Sequence, residues 1–193
     1  MTGLEFAANV VTALSVFLAG RNSVHTWWSG IIGCILFALM FYQVKLYADV
    51  ALQGFFVVTS VLGWYQWLHG RDGRERVITQ TAWTVLVAML ITGMVVTFIY
   101  GYVLHHYTDA YAPFIDSAVL AFSVLAQLLL MQRRVETWLF WLLVNSIAIP
   151  LYASRELYFT AALYSVYWVN AVVAWYEWRR QMSAVHAAIP EDT

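Results

Sequence analysis

The chain has 193 residues, of which 62% are hydrophobic and only 11% charged, with a formal net charge of −1 at pH 7. A soluble domain carries about 25% charged residues, so this composition predicts an integral membrane protein, and the lack of a basic excess argues against a nucleic-acid partner. Cys34 stands alone, which excludes an intrachain disulfide, and the five histidines show no His-x-x-x-His or Glu-x-x-x-His spacing for a metal. Ser/His/Asp, phosphate-loop and paired-carboxylate signatures are absent as well, so nothing reads as an enzyme and no cofactor is implied.

Seven apolar stretches of membrane-spanning length follow one another, at 3–20, 24–43, 47–69, 81–105, 113–131, 135–153 and 156–178. The expected fold class is all-α: a polytopic membrane protein of seven transmembrane helices. The first stretch lacks the positive start and small-residue cleavage site of a signal peptide and is read as a helix. Connections are short. The loop from His69 to Arg76 is the one strongly charged connection, and the tail after Gln181 is expected to be disordered.

Charge places the ends. The connections after the first, third, fifth and seventh stretches share one side and hold Arg21, Arg71, Arg74, Arg76, Arg133, Arg134, Arg179 and Arg180, whereas the opposite side holds Lys45 and Arg155. The positive-inside rule then predicts an outer N-terminus and a cytoplasmic C-terminus.

The chain also repeats itself. Shifted by 111 residues, its first three stretches fall on its last three without a gap, with 15 identities over 63 positions. Thr26-Trp27 meets Thr137-Trp138, Leu46-Tyr47 meets Leu157-Tyr158, and Trp64-Tyr65-Gln66-Trp67 meets Trp175-Tyr176-Glu177-Trp178. A single fourth crossing returns the chain to its starting face, so the two triplets are parallel repeats in a 3+1+3 plan. The expected division is repeat one at 1–69, a linker loop and helix at 70–112, repeat two at 113–181 and a tail at 182–193. Such repeats are a transporter plan, with substrate bound near the midplane.

Within the sixth stretch, Trp138, Trp141 and Asn145 share one helical face at i, i+3 and i+7. Indoles stack on flat rings and attract cations, and an amide both donates and accepts. The spacing also fits an interfacial tryptophan belt with Asn145 bonding a neighbouring helix. The repeat favours the ligand reading, because Trp141 and Asn145 align with Gly30 and Cys34, and a symmetric structural role would keep both copies alike. Gln53, Gln127 and Asn170 are further amides inside spans, where an amide turns toward a cavity or another helix. Tyr164 and Trp168 could complete an aromatic cage, with packing the favoured reading for Trp168.

Asp116 and Glu5 occupy equivalent helix starts, where the helix dipole favours a carboxylate. They read as caps or vestibule charges, with ion coupling as the alternative. No further acid lies near the midplane, since Asp49 is close to the outer end of its helix. Pro150 is either a hinge or a static bend.

Taken together, these motifs resemble the Pnu family of vitamin transporters. The likeness runs through Leu46-Tyr47-Ala48-Asp49 to Leu52-Gln53, Gly63 to Trp67, Asp116-Ser117, Val135-Glu136, the W-x-x-W-x-x-x-N at Trp138, Trp141 and Asn145, and Leu157-Tyr158. It implies a fold like that of the SWEET sugar transporters and a homotrimer in the bacterial inner membrane. It also implies facilitated diffusion of an unphosphorylated vitamin, trapped afterwards by a cytoplasmic kinase. Nicotinamide riboside, a flat pyridinium on a ribose, is the expected substrate. Trp138, Trp141 and Asn145 would meet the ring, and Gln53, Gln127, Asn170 and Tyr164 the ribose. Thiamine is the next candidate, because it is also a flat cation, and other members are assigned to riboflavin or deoxynucleosides. A membrane scaffold without transport is the reading from another class.

Overall fold

A computed structural model describes residues 3–43, 47–70, 76–108 and 111–188. Lys45, Leu46, Arg71 and Arg74 lie outside these residues, as does the side chain of Asp49. The described chain is helical throughout: α1 (Gly3–Gly20), α2 (His25–Gln43), α3 (Tyr47–His69), α4 (Trp83–Tyr107), α5 (Pro113–Met131), α6 (Thr137–Ser154) and α7 (Tyr158–Ala188). The seven expected helices are therefore present. The tail departs from expectation, because α7 continues to Ala188 instead of ending near Gln181. The extension from Gln181 to Ala188 holds four alanines or methionines and no glycine or proline, so helix propensity carries it on.

Among the described residues, α1, α4, α5 and α6 are long and apolar enough to cross a membrane on length and composition alone. The apolar run of α2, His25–Met40, is shorter. At 1.5 Å per residue, the 23 residues of α3 and 31 of α7 exceed the roughly 30 Å hydrocarbon thickness, although Trp, Tyr and Gln lower their hydropathy. Large apolar side chains lie on the outside of many helices: Phe6, Val10, Phe17, Ile35, Val58, Phe98, Ile99 and Val169 are all exposed. On a soluble protein such a surface would aggregate, whereas against lipid tails it is the ordinary exterior.

The repeat is visible bond by bond. Thr26 Oγ1 donates to the Ser15 carbonyl at 2.9 Å, and its counterpart Thr137 Oγ1 donates to the Ala126 carbonyl at 2.8 Å. After α1, Asn22 sits at φ 56° and Ser23 N–H reaches back to the Leu18 carbonyl. After α5, Arg133 sits at φ 54° and Arg134 N–H reaches back to the Leu129 carbonyl. A third copy of this six-to-one closure follows α6, with Glu156 at φ 61° and Leu157 N–H on the Tyr152 carbonyl. These are left-handed helix caps, a conformation that asparagine tolerates and that Arg133 and Glu156 adopt at a steric cost. The next helix starts alike in both repeats, with Trp27 N–H on Val24 and Trp138 N–H on Val135.

The chain forms two compact units, one of residues 1–78, 131–133 and 176–193, the other of residues 79–130 and 134–175. At the heart of the first are three tryptophans, Trp27, Trp67 and Trp178, each at most 2% exposed. Trp27 and Trp67 meet edge to face at 5.1 Å, Trp67 and Trp178 lie 5.8 Å apart, and Trp178 Nε1 donates to the Gly20 carbonyl at 3.1 Å. Gly63 makes room for this cluster, since a Cβ there would come within 2.4 Å of the Trp27 ring. The buried Arg133 lays its guanidinium 4.4 Å above Trp67, with Nε on Asn22 Oδ1 at 2.8 Å and Nη1 on the Arg76 carbonyl.

The second unit packs around Phe122, Ala126, Leu129, Phe140 and Val144. Its linker segment, Thr79 to Thr81, runs beside the turn before α6, with a single bridge between Thr79 and Arg134. Val135 N–H bonds the Thr79 carbonyl at 3.1 Å, Arg134 Nη1 the Gln80 carbonyl at 2.6 Å, and Thr81 N–H the buried Glu136 carboxylate at 3.0 Å.

Candidate functional site

The site is built on α6 and its neighbours α5 and α7, within the second unit. Thr137 against Ala126 and Phe122 against Phe140 (6.2 Å) fix the level at which α5 and α6 pass. On the other side, Trp168 Nε1 donates to Ser146 Oγ at 3.0 Å, and the Tyr152 and Tyr164 rings lie 4.9 Å apart. Extending these antiparallel pairings by helical rise sets Asn145 level with Asn170 on α7 and with Ser117 on α5. Ala148, Ala171 and Ala174, each at most 1% exposed, are small residues of the kind that let membrane helices approach closely.

Asn145 is 3% exposed, yet among the described residues its side chain makes no hydrogen bond. An amide buried in a membrane-spanning helix without a partner costs several kcal/mol, on the order of 2–7. One turn toward the start of α6, Trp141 is partly buried and packs against the Phe122–Phe140 cluster. Tyr164 closes the opposite side with Tyr152 and Tyr167, at ring separations of 4.9 and 5.6 Å.

The remaining expected residues divide. Gln127 is buried, but it lies ten residues beyond Ser117 on α5, roughly 15 Å along the helix from the Asn145 level. It sits instead at the level of Trp138, the second residue of α6. Trp138 is 2% exposed, the same as its counterpart Trp27, so burial there is common to both repeats. Gln53 is partly buried on α3, in the first unit. Trp168 is half exposed and held by Ser146, in keeping with a packing role.

Asp116 forms an ion pair with Arg155, whose Nη2 lies 2.9 and 2.8 Å from the two carboxylate oxygens. The pair is about a third exposed and closes the first turn of α5 onto the end of α6. A charge so engaged suits a clamp better than a coupling site. Asp116→Asn is expected to cost about 1 kcal/mol, the upper range for an exposed pair, and to leave ligand binding unchanged. A melting curve paired with a binding titration checks this, and lost affinity would place Asp116 on the transport path.

Comparison with known proteins decides the family. The profile of the nicotinamide mononucleotide transporter family matches residues 2–180. The chain belongs to this family of membrane transporters. The nicotinamide riboside transporter PnuC of Escherichia coli (strain K12) is 24% identical over 185 residues, covering 82% of this chain and 77% of that protein. PnuC of Neisseria mucosa is 26% identical over 193 residues, covering 92% and 72%. The riboflavin/roseoflavin transporter RibM of Streptomyces davaonensis is 25% identical over 177 residues, covering 89% and 81%. The crystal structure of the vitamin B3 transporter PnuC superposes with a TM-score of 0.73 at 23% identity, covering 94% of this chain and 82% of that one. The family resemblance read from the motifs is thereby borne out, as is the seven-helix membrane fold. The protein is a multi-pass transporter of the inner membrane, not an enzyme.

Sequence reasoning missed Tyr152 and Tyr167. A signal was present: Tyr152 follows Asn145 by seven residues and therefore lies on the same stripe of α6.

Proposed function

We propose that the protein carries nicotinamide riboside into the cytoplasm by facilitated diffusion, with phosphorylation by a cytoplasmic kinase making uptake effectively one-way. The observation that carries this reading is the buried Asn145 amide without a protein partner, one turn from the Trp141 indole. A carboxamide-bearing pyridinium supplies what these two groups lack: a donor and acceptor for the amide, and a flat cation for the indole. Asn170 and Tyr164 stand at the ribose end. Trp138 and Gln127 lie on the cytoplasmic side of the ring, under an outer N-terminus and cytoplasmic C-terminus.

Charge favours the riboside over the mononucleotide of the family's description. A phosphate brings about −1.5 to −2 charges, and none of the seven helices carries a lysine or arginine before the Trp178 level. A dianion inside the bundle would be uncompensated. Driving machinery is equally hard to find, since the sequence holds no nucleotide-binding motif and Asp116 is engaged by Arg155. By family likeness the working unit is a homotrimer, with repeat one at 1–69, the linker at 70–112, repeat two at 113–181 and the tail from 182.

Uptake by proteoliposomes tests this reading. Nicotinamide riboside should enter until inside and outside concentrations match, with no change when proton and sodium gradients are collapsed, and the mononucleotide should stay out. Accumulation above the outside concentration, or entry of the mononucleotide, would overturn it. The likeness to RibM makes riboflavin a second reading, and thiamine, also a flat cation, a third; either would keep the scaffold and change the cargo.

A further inference from the structure

We propose that the Tyr152 hydroxyl is a substrate contact, a hydrogen-bonding group offered to the sugar hydroxyls of the ligand, and that Tyr152 with Tyr164 forms the outer wall of the site. This rests on the reading of Asn145 and Trp141 as the ring end.

The placement comes first. Seven residues turn an α-helix almost twice, so Tyr152 projects from the same stripe as Asn145, about 10 Å along the axis. That is close to the length of a pyridine ring joined to a ribose. Tyr164 meets Tyr152 at 4.9 Å from α7, and Tyr167 meets Tyr164 at 5.6 Å, giving a patch of three phenols at one end of the Asn145 stripe.

The repeat then separates ring from hydroxyl. At the positions equivalent to Tyr152 and Tyr167, repeat one carries Phe41 and Phe56. At both places repeat one keeps the aromatic ring and lacks the hydroxyl. The hydroxyls occur in the repeat that also holds Trp141, Asn145 and Asn170, where repeat one has Gly30, Cys34 and Thr59. A phenol inside a membrane bundle is a poor lipid neighbour and a good partner for a sugar.

The test is calorimetric titration of purified wild-type protein, Tyr152→Phe and Tyr167→Phe with nicotinamide riboside, with a thermal melt of each. Tyr152→Phe is expected to weaken binding by about three- to tenfold, the size of one hydrogen bond, with at most a small drop in melting temperature from loss of the Tyr152–Tyr164 hydroxyl bond. Tyr167→Phe, a second-rank neighbour that touches Tyr164, serves as the matched control and should bind as wild type does. Wild-type affinity in Tyr152→Phe would overturn the contact while leaving the proposed function standing. An equal loss in both variants would also overturn it, because the effect would then belong to the cluster. Wild-type protein that is folded and silent toward nicotinamide riboside would bring down the function itself.

Discussion

Replacing Asn145 with leucine is expected to abolish binding of the transported vitamin while leaving a folded protein of unchanged assembly. The side chains are similar in size, so the core formed by Phe122, Ala126, Phe140 and Val144 keeps its shape. Leucine removes a buried amide with no protein partner, so the apo protein should melt at the same temperature or slightly higher. The ligand, by contrast, loses a partner inside the helix bundle and must leave its own carboxamide unpaired. That asymmetry costs about 2–4 kcal/mol, roughly thirty- to a thousandfold in affinity. Titration of the variant beside its melting curve checks both halves. Lost binding together with a lower melting temperature would recast Asn145 as a structural residue.

The largest effect on stability is expected from Trp178→Ala. Trp178 is fully buried, stacks obliquely on Trp67 and donates to the Gly20 carbonyl. Truncation leaves a cavity beneath the Arg133–Trp67 pair and should cost about 3–5 kcal/mol. Denaturation in detergent would read this as a drop of many degrees or as failure to purify. Trp178→Phe keeps most of the ring and forfeits the hydrogen bond, so about 1 kcal/mol is expected and the protein remains measurable. A Trp178→Ala protein melting like wild type would show that the three-tryptophan cluster does not hold the first unit together.

Much of this was legible in the sequence because membrane helices announce themselves through composition, and a duplication is visible when both copies keep Trp-Tyr-x-Trp endings. The helix ends agree with the apolar stretches to within a few residues wherever a loop breaks the pattern. Between Gln181 and Ala188 no glycine or proline interrupts the chain, and α7 runs on to Ala188. The candidate site was partly legible. Trp141 and Asn145 stand out because their counterparts in repeat one are Gly30 and Cys34. Gln127 was harder to place, since an amide in an all-apolar helix gives no clue to depth. The Thr137–Ala126 bond and the Phe122–Phe140 contact show that it lies nearer the start of α6 than Asn145 does. Tyr152 went unnoticed because a tyrosine near a helix end reads first as an interfacial anchor.

The central claim is that this scaffold binds an unphosphorylated, flat, cationic vitamin. Calorimetric titration of the purified protein with nicotinamide riboside, thiamine, riboflavin, a deoxynucleoside and nicotinamide mononucleotide tests it most directly. The account predicts tight binding of nicotinamide riboside and none of its phosphate. Binding of the mononucleotide in preference to the riboside, or silence toward all five from folded protein, would contradict it.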